Sequence, residues 1–197
     1  MNITIYCGNN TGNDPEFVER AAELGKWMAE HGHRLIFGGG KLGMMGAVSR
    51  ALIEAGGEAT GVTPGFFITK EEVRDDLTEL IVTKQMWDRR NIMIERGDAF
   101  IALPGGTGTA DEITEVMSLK RLDLLGRANK PVMIYNINGY YDNFLRFMDD
   151  MTREGFWRKE DRDNVIEVKC IEDIAHALES AGTEDTTRNT HYDEHFK

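Results

Sequence analysis

Strand-like and helix-like segments alternate from one end of the chain to the other. This predicts an α/β fold: a Rossmann-like, doubly wound parallel sheet in a single domain, with helices on both faces. Two further observations sharpen the prediction. The run 99–103 (Ala-Phe-Ile-Ala-Leu) is apolar and uncharged, as a strand covered on both faces should be. Three glycine-rich loops each follow a strand-like run, at the carboxyl edge where such sheets bind ligands. With 197 residues, 41% of them hydrophobic, the chain can bury one sizeable core.

In order along the chain, the first strand is expected over 3–7, followed by a polar loop from Gly8. Asp14 caps a helix with Pro15 at its first position; Phe17, Ala21, Leu24, Trp27 and Met28 give it a buried face, and Gly32 closes it. A second strand over 34–37 runs into the loop Gly38-Gly39-Gly40-Lys41-Leu42-Gly43-Met44-Met45-Gly46, whose helix continues through Val48, Ala51 and Leu52. The third strand, 59–62, is ended by Thr63-Pro64-Gly65. Segment 66–79 holds Glu71, Glu72, Asp75 and Asp76 in a poorly periodic stretch and is assigned no element. A fourth strand over 80–82 and a helix over 86–96 follow, the helix carrying Arg89 and Arg90.

Next comes the strand 99–103, ended by Pro104. Gly105, Gly106 and Gly108 then turn the backbone through conformations closed to residues with a Cβ. Thr109 is expected to cap a helix from Ala110 to Leu125, with Asp111 and Glu112 in its first turn. A strand over 132–135, a helix over 141–152, a strand over 165–168 and a helix over 171–181 complete the domain, which is expected to span 1–182. Residues 183–197 are polar and lack apolar periodicity, as in a solvated or partner-draped tail.

Composition excludes several functions. A net charge of −11 opposes binding to a nucleic acid polymer, whose affinity rests on Lys and Arg at phosphates. A mononucleotide is still open, because a local arginine and a helix terminus outweigh the global field. No apolar run reaches the ~20 residues of a membrane span, and the chain enters a strand at once without a basic leader, so a cytoplasmic location is expected. Cys7 and Cys170 read as buried thiols rather than a disulfide framework. His31, His33, His176, His191 and His195 form no ligand-spaced cluster with them, so no metal or other cofactor is expected. The loop at 38–46 lacks the Gly-x-Gly-x-x-Gly spacing and the acidic residue about 20 positions on that would hold NAD. No pyridoxal phosphate lysine motif stands out.

The chemistry concentrates after residue 103. A strand, a glycine loop and a helix start direct several backbone N–H groups at one spot, which suits a phosphate. Glu112 and Glu115 lie three apart and project from one helix face. Glu112 then lies about one turn from a bound anion, where the sugar of a nucleotide would sit. The plain alternative is a βα turn with helpful N-terminal charges. Gly39, Gly40 and Gly43 let backbone close against either a ligand or the neighbouring helix. Arg89 and Arg90 point about 100° apart on their helix and cannot do one job; they serve either as a solvated basic pair or as rigid forks for a phosphate or hydroxyl group.

Tyr6-Cys7-Gly8, Gly38-Gly39-Gly40 with Gly43-Met44-Met45-Gly46, Met86-x-x-Arg89-Arg90 and Pro104-Gly105-Gly106-x-Gly108-Thr109-x-x-Glu112 together resemble the LONELY GUY family. These are cytokinin riboside 5′-monophosphate phosphoribohydrolases, often mislabelled lysine decarboxylases. Lys130-Pro131, Asn138-Gly139-Tyr140-Tyr141 and Glu154-Gly155-Phe156 extend the likeness over residues 3–180. The resemblance implies hydrolysis of an adenosine 5′-monophosphate, N6-modified or plain, to free base and ribose 5-phosphate. It implies catalytic roles for Arg89 and Glu112 and a phosphate site at Gly105, Gly106, Thr107, Gly108 and Thr109. Gly8, Gly39, Gly40, Glu71, Met86, Arg90, Asp111, Glu115 and Ser118 would then lie near the nucleotide, in a site at the interface of a homodimer or larger assembly.

The chain departs from the family pattern at three places. Met86-Trp87-Asp88-Arg89-Arg90 stands where Met-His-Glu-Arg-Lys is usual, Asn9-Asn10-Thr11 replaces a serine-rich loop, and Met117-Ser118-Leu119-Lys120 lacks the usual tryptophan. These changes bear on base specificity rather than on the reaction. Two alternatives remain within the likeness: a broader nucleotide 5′-monophosphate nucleosidase, and a non-catalytic nucleotide or pterin-cofactor carrier. A carrier needs the glycine loop but has no use for a carboxylate beside the sugar. A third, a regulatory protein acting through its tail, has only the tail's composition behind it.

Overall fold

The structure, a computed structural model, describes residues 1–68, 73–126 and 130–183. Its strands are β1 (Asn2–Tyr6), β2 (Arg34–Phe37), β3 (Ala59–Pro64), β4 (Glu79–Thr83), β5 (Ala99–Ala102), β6 (Val132–Tyr135) and β7 (Val165–Val168). Between and after them run α1 (Pro15–Glu30), α2 (Gly43–Glu54), α3 (Gly65–Ile68), α4 (Met86–Arg96), α5 (Thr107–Arg121), α6 (Asp142–Arg153), α7 (Lys159–Asp163) and α8 (Ile171–Thr183). The strands form one 7-stranded sheet in the order β4-β3-β2-β1-β5-β6-β7, and every pairing is parallel.

That order has one reversal. From β1 the chain steps outward through β2 and β3 to β4, then crosses back to lay β5 beside β1, with Ile3 opposite Ala99 and Tyr6 opposite Ala102. Successive side chains of a strand point to opposite faces, so the sheet feeds two cores. Ile3, Ile5, Leu35, Phe37, Ala99 and Ile101 pack beneath α1, α2 and α8. Tyr6, Ile36, Phe100 and Ala102 pack on the other face against Met93 of α4, Ile113 and Val116 of α5 and Leu145 of α6. On the first face α1 and α2 touch backbone to backbone: a Cβ on Gly25 would lie 2.1 Å from the carbonyl oxygen of Val48.

Several boundaries differ from expectation for local reasons. Asp14 does cap α1, accepting from the Glu16 N–H, with Pro15 at the first position. β3 runs on through Pro64, because β2 stops pairing at Gly61 and Pro64 faces only Thr83 of β4, so no central ladder bond is lost there. The helix after the glycine loop starts at Thr107, not Ala110, and ends at Arg121, short of Leu125. The helices α3 and α7 and a 3-10 turn over Ile137–Gly139 are too short to leave a periodic signature. Cys7 and Cys170 are both free and each residue is half-buried; of the two thiols, that of Cys7 is the enclosed one. The expected polar tail lies, from residue 184 onward, outside the described residues.

Candidate active site

The reversal of strand order sends α1 and α5 to opposite faces of the sheet, so the loops that follow β1 and β5 part at the edge where such sheets bind ligands. Gly8 ties the three glycine loops together there. Its N–H donates to the Pro104 carbonyl at 3.1 Å, and its carbonyl accepts from the N–H groups of Met44 and Met45 at 3.1 and 3.3 Å. Contacts this close leave no room for side chains. A Cβ on Gly43, which sits at φ +58°, would lie 2.2 Å from the Asn9 carbonyl, and one on Gly105 would lie 2.1 Å from Oγ1 of Thr109.

At the start of α5, Gly106 occupies the cap position in extended backbone and supplies no side chain to the helix. The first intrahelical bond shown there is from the Ala110 N–H to the Gly106 carbonyl. The amides of Thr107, Gly108 and Thr109 therefore have no acceptor within the helix, and the positive end of its dipole adds to them. A Cβ on Gly106 or Gly108 would meet nothing within 4 Å, so this cradle is open. The expectation that Thr109 caps the helix is corrected: it is the third helical residue, buried over Gly105. Asp111 and Glu112 fall in the second turn instead of the first.

One turn beyond the cradle, Glu112 pairs with Arg89 of α4, the side chains being 10% and 11% exposed. Arg89 is itself held from behind: its Nε donates to the Val62 carbonyl at 3.0 Å, and its Nη2 lies 2.8 Å from where a Cβ on Gly38 would stand. Arg90 turns to the outer side and pairs with Asp111. Its Nε also lies 3.0 Å from Oε2 of Glu115, yet these two buried atoms are not aligned as a hydrogen bond, so the contact is electrostatic. The two arginines thus do different work.

Two groups, the Tyr6 phenol and the Cys7 thiol, lie within the field of Arg89 and Glu112. Burial pushes the Tyr6 phenol far above its ordinary range, and the charge of Glu112 adds to that while Arg89 opposes it. The Cys7 thiol is raised in the same way, first by burial and then by Glu112. Both stay protonated at neutral pH, so Cys7 has no thiolate for nucleophilic attack.

Other expected site residues are placed differently. Gly39, at φ +83°, gives its carbonyl to the Arg74 N–H, and Gly40 bridges Val73; both bind the segment after β3. Met86 opens α4 and is 36% exposed. Ser118 is exposed on α5, and its hydroxyl donates to the Thr114 carbonyl of its own helix. Glu71 lies outside the described residues. The contacts of Arg89 with the Val62 carbonyl and with Gly38 had no signal in the sequence. A separate groove of about 520 Å³ along β7 and α8, lined by Asn164, Lys169 and His176, contains none of these residues. Among the described residues, no three His, Cys, Asp or Glu side chains gather as a metal site.

The molecule is a Rossmann-like α/β protein with an open helix N-terminus at the switch point of its sheet. A family model described as "Possible lysine decarboxylase" matches residues 45–178. The cytokinin riboside 5′-monophosphate phosphoribohydrolase of Rhodococcoides fascians is 38% identical over 179 residues, covering 90% of this chain and 89% of that protein. The cytokinin riboside 5′-monophosphate phosphoribohydrolase LOG of Oryza sativa subsp. japonica is 37% identical over 177 residues, covering 90% and 72%. The chain belongs to the LONELY GUY family. Among solved structures, the molybdenum cofactor carrier protein from Chlamydomonas reinhardtii superimposes with a TM-score of 0.68 at 24% identity, over 93% of this chain and 98% of that one. At that identity the likeness is one of fold.

Proposed function

We propose that the chain hydrolyses the N-glycosidic bond of an adenosine 5′-monophosphate, of the cytokinin riboside type, to free base and ribose 5-phosphate. The observation that carries this reading is the Arg89–Glu112 pair, buried one helical turn from the open amides at the start of α5. The family membership and the names of the relatives support it.

The phosphate of the substrate rests on the amides of Gly106, Thr107, Gly108 and Thr109, and its charge is stabilised by the helix terminus. This anchor sets the ribose beside Glu112. As the C1′–N bond breaks, its electron pair leaves with the base and the sugar takes on oxocarbenium character. The Glu112 carboxylate stabilises that positive sugar and orients the water that adds to C1′. Arg89 holds the carboxylate in place beside the sugar, while Arg90, Asp111 and Glu115 form the outer wall. The departing base takes one proton, and the hydroxyl stays on C1′.

The same reading includes assembly as at least a homodimer in the cytoplasm, with the site at the interface. The exposed Met86 and Trp87, at the start of the helix that carries both arginines, support it. Light scattering of the purified protein tests the assembly. Incubation with AMP and with isopentenyladenosine monophosphate, followed by detection of adenine or isopentenyladenine, tests the reaction. Release of neither base by protein that still binds nucleotide would replace this reading with that of a carrier.

A further inference from the structure

Three consecutive carbonyls of the β5–α5 loop are each engaged from outside it. Tyr141 Oη donates to the Leu103 carbonyl at 2.7 Å, the Gly8 N–H to that of Pro104 at 3.1 Å, and Tyr140 Oη to that of Gly105 at 2.5 Å. In a planar trans peptide the C=O and the following N–H point in opposite directions. Fixing the carbonyls of Pro104 and Gly105 therefore turns the N–H groups of Gly105 and Gly106 to the other side, away from Gly8 and Tyr140. Leu103 precedes a proline, so Tyr141 directs no amide and only fixes the strand end.

Tyr140 is itself firmly placed. Its ring packs edge-on against Phe17 at 5.5 Å and Tyr141 at 4.9 Å. The turn that carries it is braced at both ends. Oδ1 of Asn136 accepts from the Tyr141 N–H, and its Nδ2 donates to Asp142 and Glu167. Asn138, at φ 50°, donates to Asp14 and Glu16 at the start of α1. A phenol that is 45% exposed needs no protein partner for its own sake, since water would serve. What its hydroxyl adds is a direction for the Gly105–Gly106 peptide.

We infer that Tyr140 is a positioning residue for the anion cradle: its hydroxyl holds the Gly105 carbonyl back so that the Gly106 amide faces the phosphate. This rests on the phosphate site of the proposed function. The test compares Glu112→Gln protein, with and without Tyr140→Phe, for calorimetric binding of AMP and of adenosine. The phenylalanine keeps the ring contacts and removes only the donor. Loss of one well-placed hydrogen bond should weaken AMP about tenfold, leaving adenosine binding and the melting temperature unchanged. Equal AMP affinity in the two proteins would overturn the inference, as would equal weakening of both ligands, which marks a merely structural role. Failure of the Glu112→Gln parent to bind AMP at all would overturn the phosphate site itself, and the role of Tyr140 with it.

Discussion

Glu112 and Arg89 share one interaction but differ in what the fold asks of them. In Glu112→Gln an amide oxygen still accepts from the guanidinium, so the protein should fold normally. Base release should fall by 10²-fold or more, the scale of removing one electrostatic catalytic group. Arg89→Ala should fall as far in activity and also melt lower, because it strands a buried carboxylate at a cost of about 3–5 kcal/mol; calorimetry beside the turnover assay separates the two. The glycines divide in a similar way. Gly105→Ala drives a methyl to 2.1 Å from Thr109 and should lower the melting temperature. Gly106→Ala meets nothing within 4 Å, so its melting temperature should hold while KM for AMP rises. At this scale Arg89 and Glu112 stand out in the sequence because each lies in a local motif, and the fold adds that they pair. The Tyr140 contact with Gly105 joins residues 35 apart in sequence and left no trace in spacing.

Elements that carry strong punctuation were legible. α1 announces itself with Asp14-Pro15 and a five-residue apolar face, and the expected bounds of α4 coincide with those observed. The start of α5 was misread because Thr109 is a good cap by type, whereas the tight approach of Gly105 to that threonine leaves the cap position to Gly106. A purely local rule cannot register that approach. The packing of α1 on α2 makes its own prediction. Gly25→Ala places a methyl 2.1 Å from the Val48 carbonyl and forces the helices apart, costing on the order of 1–3 kcal/mol. Thermal unfolding should show it, with the KM of the remaining folded enzyme unaltered.

For the whole molecule, alternation of strand and helix was enough to fix the class, because right-handed crossovers leave few parallel arrangements. The strand order was not legible: nothing in the run 99–103 says that it returns beside β1. One pH dependence belongs to this scale. Burial lowers the His33 pKa, with nearby positive charge adding to the effect, so the folded protein keeps the imidazole neutral while the unfolded chain protonates it below about pH 6.5. The contribution of His33 is thus complete above that value and is lost as pH falls through the lower folded pKa. Denaturant titrations at pH 7.5 and 5.5 should show a smaller loss of stability in His33→Gln than in the parent.

The return of β5 to the side of β1 also governs when the proposed site is assembled. A nascent chain that has emerged only as far as α4 already carries Arg89, but neither its carboxylate nor the amides that would seat a nucleotide have yet been made. Arg89, Glu112 and the loop amides come together only when β5 docks beside β1, nearly a hundred residues away in sequence. A chain that ends before α5 lacks Glu112 and the loop amides together.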